Sequence, residues 1–288
     1  MENLRGSILM VAAMAGFAVE DMFLKSVSRG LPVGLILMIF GTGGMLAFAA
    51  LVKRRGERLF HPAILSRPIL AKAVCEVAGR LFYTLALAFT PLSSASAILQ
   101  ATPLVVVAGA ALIFGEKVGW RRWSAIAVGF AGVMIILRPG LEGFEAASLL
   151  AVAGMLGFAG RDLATRAAPP VLSNVQLGVY GFFMLIPTGA VLLAFTGGAQ
   201  MPDAVQAGQL AAATVFGVAA YYALTAAMRI GEVSVVTPFR YTRLVFALIL
   251  GVLVFAERPD AMTLLGSAVI VGSGIYTLLR SRRVARLI

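Results

Sequence analysis

One cysteine and one histidine in 288 residues leave little of the chemistry from which metal proteins and many enzymes are built. Cys75 alone forms no disulfide framework, and with His61 it supplies too few ligands for a thiolate or imidazole metal site. The chain has no His-Glu-x-x-His, no Walker loop and no Gly-x-Ser-x-Gly, so a membrane-embedded enzyme has no motif to stand on. No cofactor and no metal are expected. Charge is scarce as well, with 13% Asp, Glu, Lys and Arg where a soluble domain carries about a quarter.

What fills the space is apolar. Hydrophobic residues make up 60% of the chain, and the mean hydropathy is +0.94. Apolar stretches of about twenty residues recur from end to end, the length a helix needs to cross a hydrocarbon core of about 30 Å. Turn signals such as Thr90-Pro91, Pro169-Pro170 and Arg258-Pro259 divide them. The pattern predicts ten spans, at 6–25, 31–52, 69–89, 93–114, 123–138, 147–167, 173–196, 208–229, 232–255 and 261–280. The fold class is thus an all-α polytopic membrane protein, with the lipid bilayer as a partner. The first run carries Glu20 and Asp21 inside it and lacks a strongly basic start, so it reads as a retained span and not a signal peptide.

The formal charge of +11 would suggest nucleic acid in a soluble chain. Here the basic residues flank spans and alternate with the loops, so no nucleic-acid partner is expected. Arg5, Lys53, Arg54, Arg55, Arg58, Arg67, Lys117, Arg121, Arg122, Arg166, Arg229 and the Arg280–Arg286 cluster fall on one side. Lys25, Arg29, Arg138 and Arg258 fall on the other. The positive-inside rule then puts both termini in the cytoplasm. His61 lies in the longest basic loop and reads as solvated.

The chain also says things twice. VAAMAGFAVED, from Val11, returns as VAGMLGFAGRD, from Val152, at a spacing of 141. Phe114-Gly115-Glu116-Lys117 returns as Phe255-Ala256-Glu257-Arg258 at the same spacing. Gly132–Arg138 returns as Gly274–Arg280, and Thr102 as Thr242. This predicts two copies of five spans, 1–140 and 141–288. Five is odd, so the second copy enters the membrane from the opposite side, as in many secondary transporters that alternate access around a site between the halves.

Two five-span halves, each opening on a Met-x-Gly-Phe-Ala-x-x-Asp helix and each carrying a Gly/Ala-Glu step after its fourth span, resemble the EamA-type drug/metabolite transporter superfamily. The chain is also similar to the YddG-type exporters of aromatic amino acids. The resemblance covers the whole chain. It implies ten helices around a central cavity in a bacterial cytoplasmic membrane, and export of amino acids, neutral and aromatic, or related small metabolites. Export of cationic drugs or other metabolites is the alternative, and a passive channel a more distant one.

Ionisable groups within spans cost about 2.5–3.5 kcal/mol each on insertion scales and so face protein or water. They are Glu20, Asp21, Glu76, Arg80, Arg161, Asp162, Arg240 and Arg243. Glu76 and Arg80 are spaced to pair on one helix face. Glu20, Asp21, Arg161 and Asp162 occupy equivalent places in the halves and are expected in gate ion pairs, static pairs or substrate contact. Phe17, Tyr83, Phe158, Tyr221, Tyr222, Phe239 and Tyr241 form an aromatic set, read either as packing or as a lining for a ring-bearing substrate; Tyr83 and Tyr222 fall at matching places. Gln100, Pro103 and Pro238 lie within spans 4 and 9, where proline bends a helix. Small residues at Gly129–Gly132 and Gly272–Gly274 permit close helix approach, within a monomer or across a homodimer.

Overall fold

The computed structural model describes residues 2–115, 119–138, 145–230 and 237–285. All regular structure among them is helical: α1 (Glu2–Val27), α2 (Val33–Arg54), α3 (Arg67–Phe89), α4 (Leu92–Leu99), α5 (Thr102–Phe114), α6 (Trp120–Leu137), α7 (Ser148–Arg166), α8 (Asn174–Thr196), α9 (Ala204–Ile230), α10 (Thr242–Phe255) and α11 (Ala261–Ala285). Short 3-10 turns cover Pro62–Leu65 and Thr237–Tyr241. Each expected span has its helix. The fourth is α4 plus α5, and the ninth is the second 3-10 turn plus α10. Residues 139–144, where the two sequence copies meet, lie outside the described residues, as do Glu116, Lys117 and 231–236.

The fourth span is interrupted and the ninth passes from a 3-10 turn into its helix, and at both places a threonine hydroxyl bonds the carbonyl three residues back. Pro103 has no N–H to give the carbonyl one turn back at Leu99, and the Thr102 hydroxyl donates to that carbonyl instead, at 2.6 Å. In the ninth span the Thr242 hydroxyl donates to the Phe239 carbonyl, also at 2.6 Å. The two spans also end alike, on Gly115 at φ +66° and Ala256 at φ +53°. A left-handed alanine is uncommon. It closes α10 with a bond from the Glu257 amide to the Gly251 carbonyl, 3.0 Å, a Schellman-like stop.

The halves interlock. Helix α1 packs on α9, α3 on α7, α2 on α8, α4 on α10 and α6 on α11. Counting helices within each half, exchanging the halves returns the same set of partners. Hydrocarbon offers no hydrophobic drive between helices, so close packing of small residues must supply it. A methyl group on Gly157 of α7 would strike the backbone of Gly79 on α3, and one on Gly132 of α6 would lie 2.9 Å from the Gly266 carbonyl of α11. The stripe containing Gly132 thus joins the two halves. Gly272 faces open space.

Five stretches are long and apolar enough to cross a membrane by length and composition: Leu4–Val27, Val33–Arg54, Leu92–Ile113, Asn174–Thr196 and Ala204–Ala227. Helices α3 and α7 fall outside that set because buried charges interrupt them. His61 is not merely solvated: its Nδ1 accepts from the Ala63 amide at 3.1 Å and caps the first 3-10 turn.

Where α6 ends and α11 begins, Arg138 pairs with Asp260, and Asp260 Oδ1 accepts from the Thr263 amide at 2.7 Å. These contacts hold the Asp260 carboxyl down to about 2. A depressed carboxylate stabilises above the ordinary range near 4 and loses that contribution as pH falls through about 2. Half-exposed charges are screened, so Asp260→Asn should cost at most about 1 kcal/mol. Asp260→Ala also removes the helix cap and should cost about 0.5–2 kcal/mol. Thermal melts in detergent at neutral pH check that order, and equal melting of the three proteins would contradict it.

Candidate functional site

Two neighbouring carboxylates open the site from α1. Glu20 and Asp21 are fully buried, which no carboxylate tolerates without a partner. Glu20 pairs with Arg80 of α3. Asp21 Oδ2 accepts from Arg243 of α10 at 2.6 Å and from the Tyr83 hydroxyl at 3.2 Å. Tyr83 also meets Ser96 Oγ at 3.3 Å.

The second cluster starts on α7. Arg161 donates to its neighbour Asp162 through Nε at 3.1 Å and through a terminal nitrogen at 2.9 Å. It also reaches Glu76 at 3.4 Å. Asp162 Oδ2 accepts from Arg240 at 3.0 Å. Glu76 takes a second cation, Lys72, at 3.0 Å. The expected pairing of Glu76 with Arg80 is therefore corrected. Glu76 turns to the cations of α3 and α7 that flank it, and Arg80 reaches across to the carboxylate of α1. Lys72 is a site residue the sequence reading passes over, although its spacing four before Glu76 carried the signal.

The equivalent aspartates do not serve two different elements. Asp21 and Asp162 come from opposite halves, yet both hold arginines of the ninth span, where the 3-10 turn passes into α10. The fourth span has Gln100 and Pro103 at the matching places. The pseudo-symmetric frame thus carries an asymmetric charge pattern.

Between the clusters lies a cavity of ≈ 50 Å³ lined by Met14, Phe17, Arg80, Leu99, Gln100, Thr102, Pro103, Phe158, Arg161, Leu224, Arg240 and Arg243. That is room for roughly three to five waters and far below the 300–1,000 Å³ of typical ligand pockets. Four arginines line it. Three of their guanidinium groups lie over described rings: Arg243 over Phe17 at 5.1 Å and Tyr83 at 5.6 Å, Arg80 over Phe40 at 5.0 Å and Phe158 at 5.8 Å, Arg161 over Phe158 at 4.9 Å. The carboxylates stand behind them, and none is among the lining residues.

The aromatic set divides. Phe17 and Phe158 line the cavity, and Tyr83 meets Phe158 edge-on at 5.9 Å. Tyr221 packs edge-on against Phe48 at 5.5 Å in the apolar core. Tyr241 is buried beside the cavity and does not line it. Tyr222 is the correction: it is exposed, and its hydroxyl accepts from Arg55 at 2.8 Å at the end of α2. Successive helix positions point about 100° apart, so of the Tyr221-Tyr222 pair only the first faces inward. The side chain of Pro238 lies outside the described residues.

At one end of the molecule a single carboxylate gathers three elements. Glu257 accepts from the Leu92 amide at 2.6 Å, the Ser93 amide at 3.0 Å and the Ser93 hydroxyl at 2.8 Å, capping α4. Lys25 of α1 stands 3.8 Å from it and donates to the carbonyls of Thr90 and Leu87. Lys25 and Arg29 lie over the Phe255 ring.

Comparison with known proteins agrees with this architecture of two copies. The EamA-like transporter family matches residues 4–138 and again residues 146–279. The chain belongs to that family. It is 30% identical to a riboflavin transporter of Vibrio cholerae over 93% of this chain and 91% of that one. It is 30% identical to a riboflavin transporter of Rhizobium johnstonii over 74% and 70%. It is 26% identical to the pseudopaline exporter CntI of Pseudomonas aeruginosa over 92% and 93%. A solved crystal structure with 20% identity superposes with a TM-score of 0.66, covering 93% of this chain and 98% of the other. This EamA-family chain is a membrane transporter of small molecules, and its relatives are bacterial.

Proposed function

We propose that this EamA-family chain is a secondary transporter of the bacterial cytoplasmic membrane that carries flat, ring-bearing metabolites of the flavin type by alternating access. One observation carries the reading: four arginines and two phenylalanines line the cavity between the halves, with no carboxylate among the described lining residues. Guanidinium groups stack on planar rings and donate to carbonyl or anionic oxygens. Two riboflavin transporters among the relatives point the same way.

Residues 1–140 and 141–288 act as inverted repeats, with both termini cytoplasmic. The end of the molecule holding Lys25, Arg138 and Glu257 then faces outward and is closed, and the narrow cavity must widen to admit a substrate. A substrate ammonium would need a lining carboxylate, which weakens the cases for cationic drugs and for zwitterions. Export of aromatic amino acids remains the second reading, because Phe17, Phe158 and Tyr83 suit a ring side chain.

Proteoliposomes decide between them. Riboflavin uptake should saturate, as a carrier's does and a channel's does not, and excess phenylalanine should leave it unchanged. Saturable phenylalanine flux without riboflavin flux would favour the second reading. No saturable flux of either would remove both.

A further inference from the structure

Gln100 sits where the fourth span is broken. Its backbone amide closes a tight turn on the Ala97 carbonyl at 3.1 Å, and the irregular turn that Pro103 imposes sets its side chain in the cavity wall. The residue is 4% exposed, and its amide nitrogen has no hydrogen-bond partner among the described residues. The Nε atoms of Arg80 and Arg243, two other lining residues, are buried and unpartnered in the same way. Native proteins rarely leave buried donors unpaired, and an exception calls for an explanation. Three such donors around one cavity mean that its occupant brings acceptors.

Gln100 differs from the arginines beside it. A guanidinium only donates, whereas a primary amide both donates and accepts. A group that offers both reads an edge that offers both in return, a carbonyl beside an N–H. We propose that Gln100 is the specificity-determining residue of the cavity, pairing with the amide or imide edge of the substrate while the arginines hold its remaining acceptors and ring face. The inference rests on the flavin reading above and deepens it, since a flavin ring carries one imide edge. A site built to hydrogen-bond a donor discriminates strongly against an analogue lacking it, because its own polar group is left unpaired.

The test compares riboflavin with riboflavin methylated on the imide nitrogen, using the full-length protein and Gln100→Met in proteoliposomes. The parent should prefer riboflavin by at least ~10-fold, the worth of about one buried hydrogen bond. Gln100→Met should lose riboflavin flux by a similar factor, keep its flux of the methylated compound, and melt within a few degrees of the parent. A parent that does not discriminate, or a variant that keeps the parent's preference, overturns the assignment. If the parent carries neither flavin, the flavin reading fails on its own. Gln100 is then judged by thermal shift with 1-methyluracil, which keeps only the imide edge, and 1,3-dimethyluracil, which has none. A shift by 1-methyluracil alone, absent in Gln100→Met, supports the amide-edge assignment; equal shifts, or none, overturn it.

Discussion

Replacing Asp21 with leucine is expected to remove most of the folded transporter, and replacing Arg243 with leucine in the same chain is expected to bring it back. Asp21 is wholly buried and holds Arg243 at 2.6 Å. Without it, a cation stays among Phe17, Tyr83 and the cavity wall with no carboxylate of its own. Breaking a buried pair from one side costs about 3–5 kcal/mol, while exchanging both members for apolar residues of similar volume is often neutral. A total stability of about 5–15 kcal/mol leaves little room for the single loss. The monodisperse fraction and melting temperature of both single mutants and the double mutant give the coupling. Flux should stay absent in the double mutant, because Arg243 lines the cavity. A single Asp21→Leu chain as stable as the parent contradicts the pairing, and a double mutant that transports normally takes Arg243 out of the substrate site.

That pairing marks the limit of what the sequence could tell. The all-helical polytopic fold was legible because apolar runs of membrane length leave few other readings. The duplication was legible because Asp21 and Asp162, or Glu116 and Glu257, repeat as polar letters within apolar text. The list of buried charges was nearly complete for the same reason. Which charge meets which across helices was not legible, since those partners lie 60 to more than 200 residues apart along the chain, as with Glu20 and Arg80 or Asp21 and Arg243. Lys72 was hidden by lying near the start of its span, where a lysine reads as a flank. Tyr222 was misplaced because it stands 139 residues from Tyr83, outside the offsets of 140 to 142 at which the two copies match, and a slip of a single residue turns a helix position by about 100°.

Neutralising Glu257 is expected to open the mouth that the proposed orientation turns outward. Its carboxylate is the single acceptor for two α4 amides and the Ser93 hydroxyl, with Lys25 of α1 beside it, so α1, α4 and α10 meet at one charge. The anion also sits at the positive end of α4, where the first amides have no helical partner. The left-handed Ala256 brings it there, a strained turn where glycine would be easier. The sequence repeats these letters 141 residues away, with Arg166, Ser234 and Glu116 for Lys25, Ser93 and Glu257, which two copies of ordinary loop would have little reason to retain. Hydrogen bonds to a charged group contribute about 1.5–3 kcal/mol each, and a differential of 1–3 kcal/mol shifts an equilibrium by about 5–150-fold. Glu257→Gln keeps an acceptor and should sit at the low end of that range; Glu257→Ala should sit at the high end. The measurement is the rate at which an impermeant thiol reagent, added from outside, reaches Leu224→Cys in the cavity of a chain whose Cys75 is serine. Met201→Cys and Phe60→Cys, both highly exposed in loops assigned to opposite sides, serve as outside and inside controls. Labelling should rise from parent to Gln to Ala while melting temperatures stay near the parent's. If labelling is flat across the three and only stability falls, Glu257 is a helix cap and the outer mouth is held by something else.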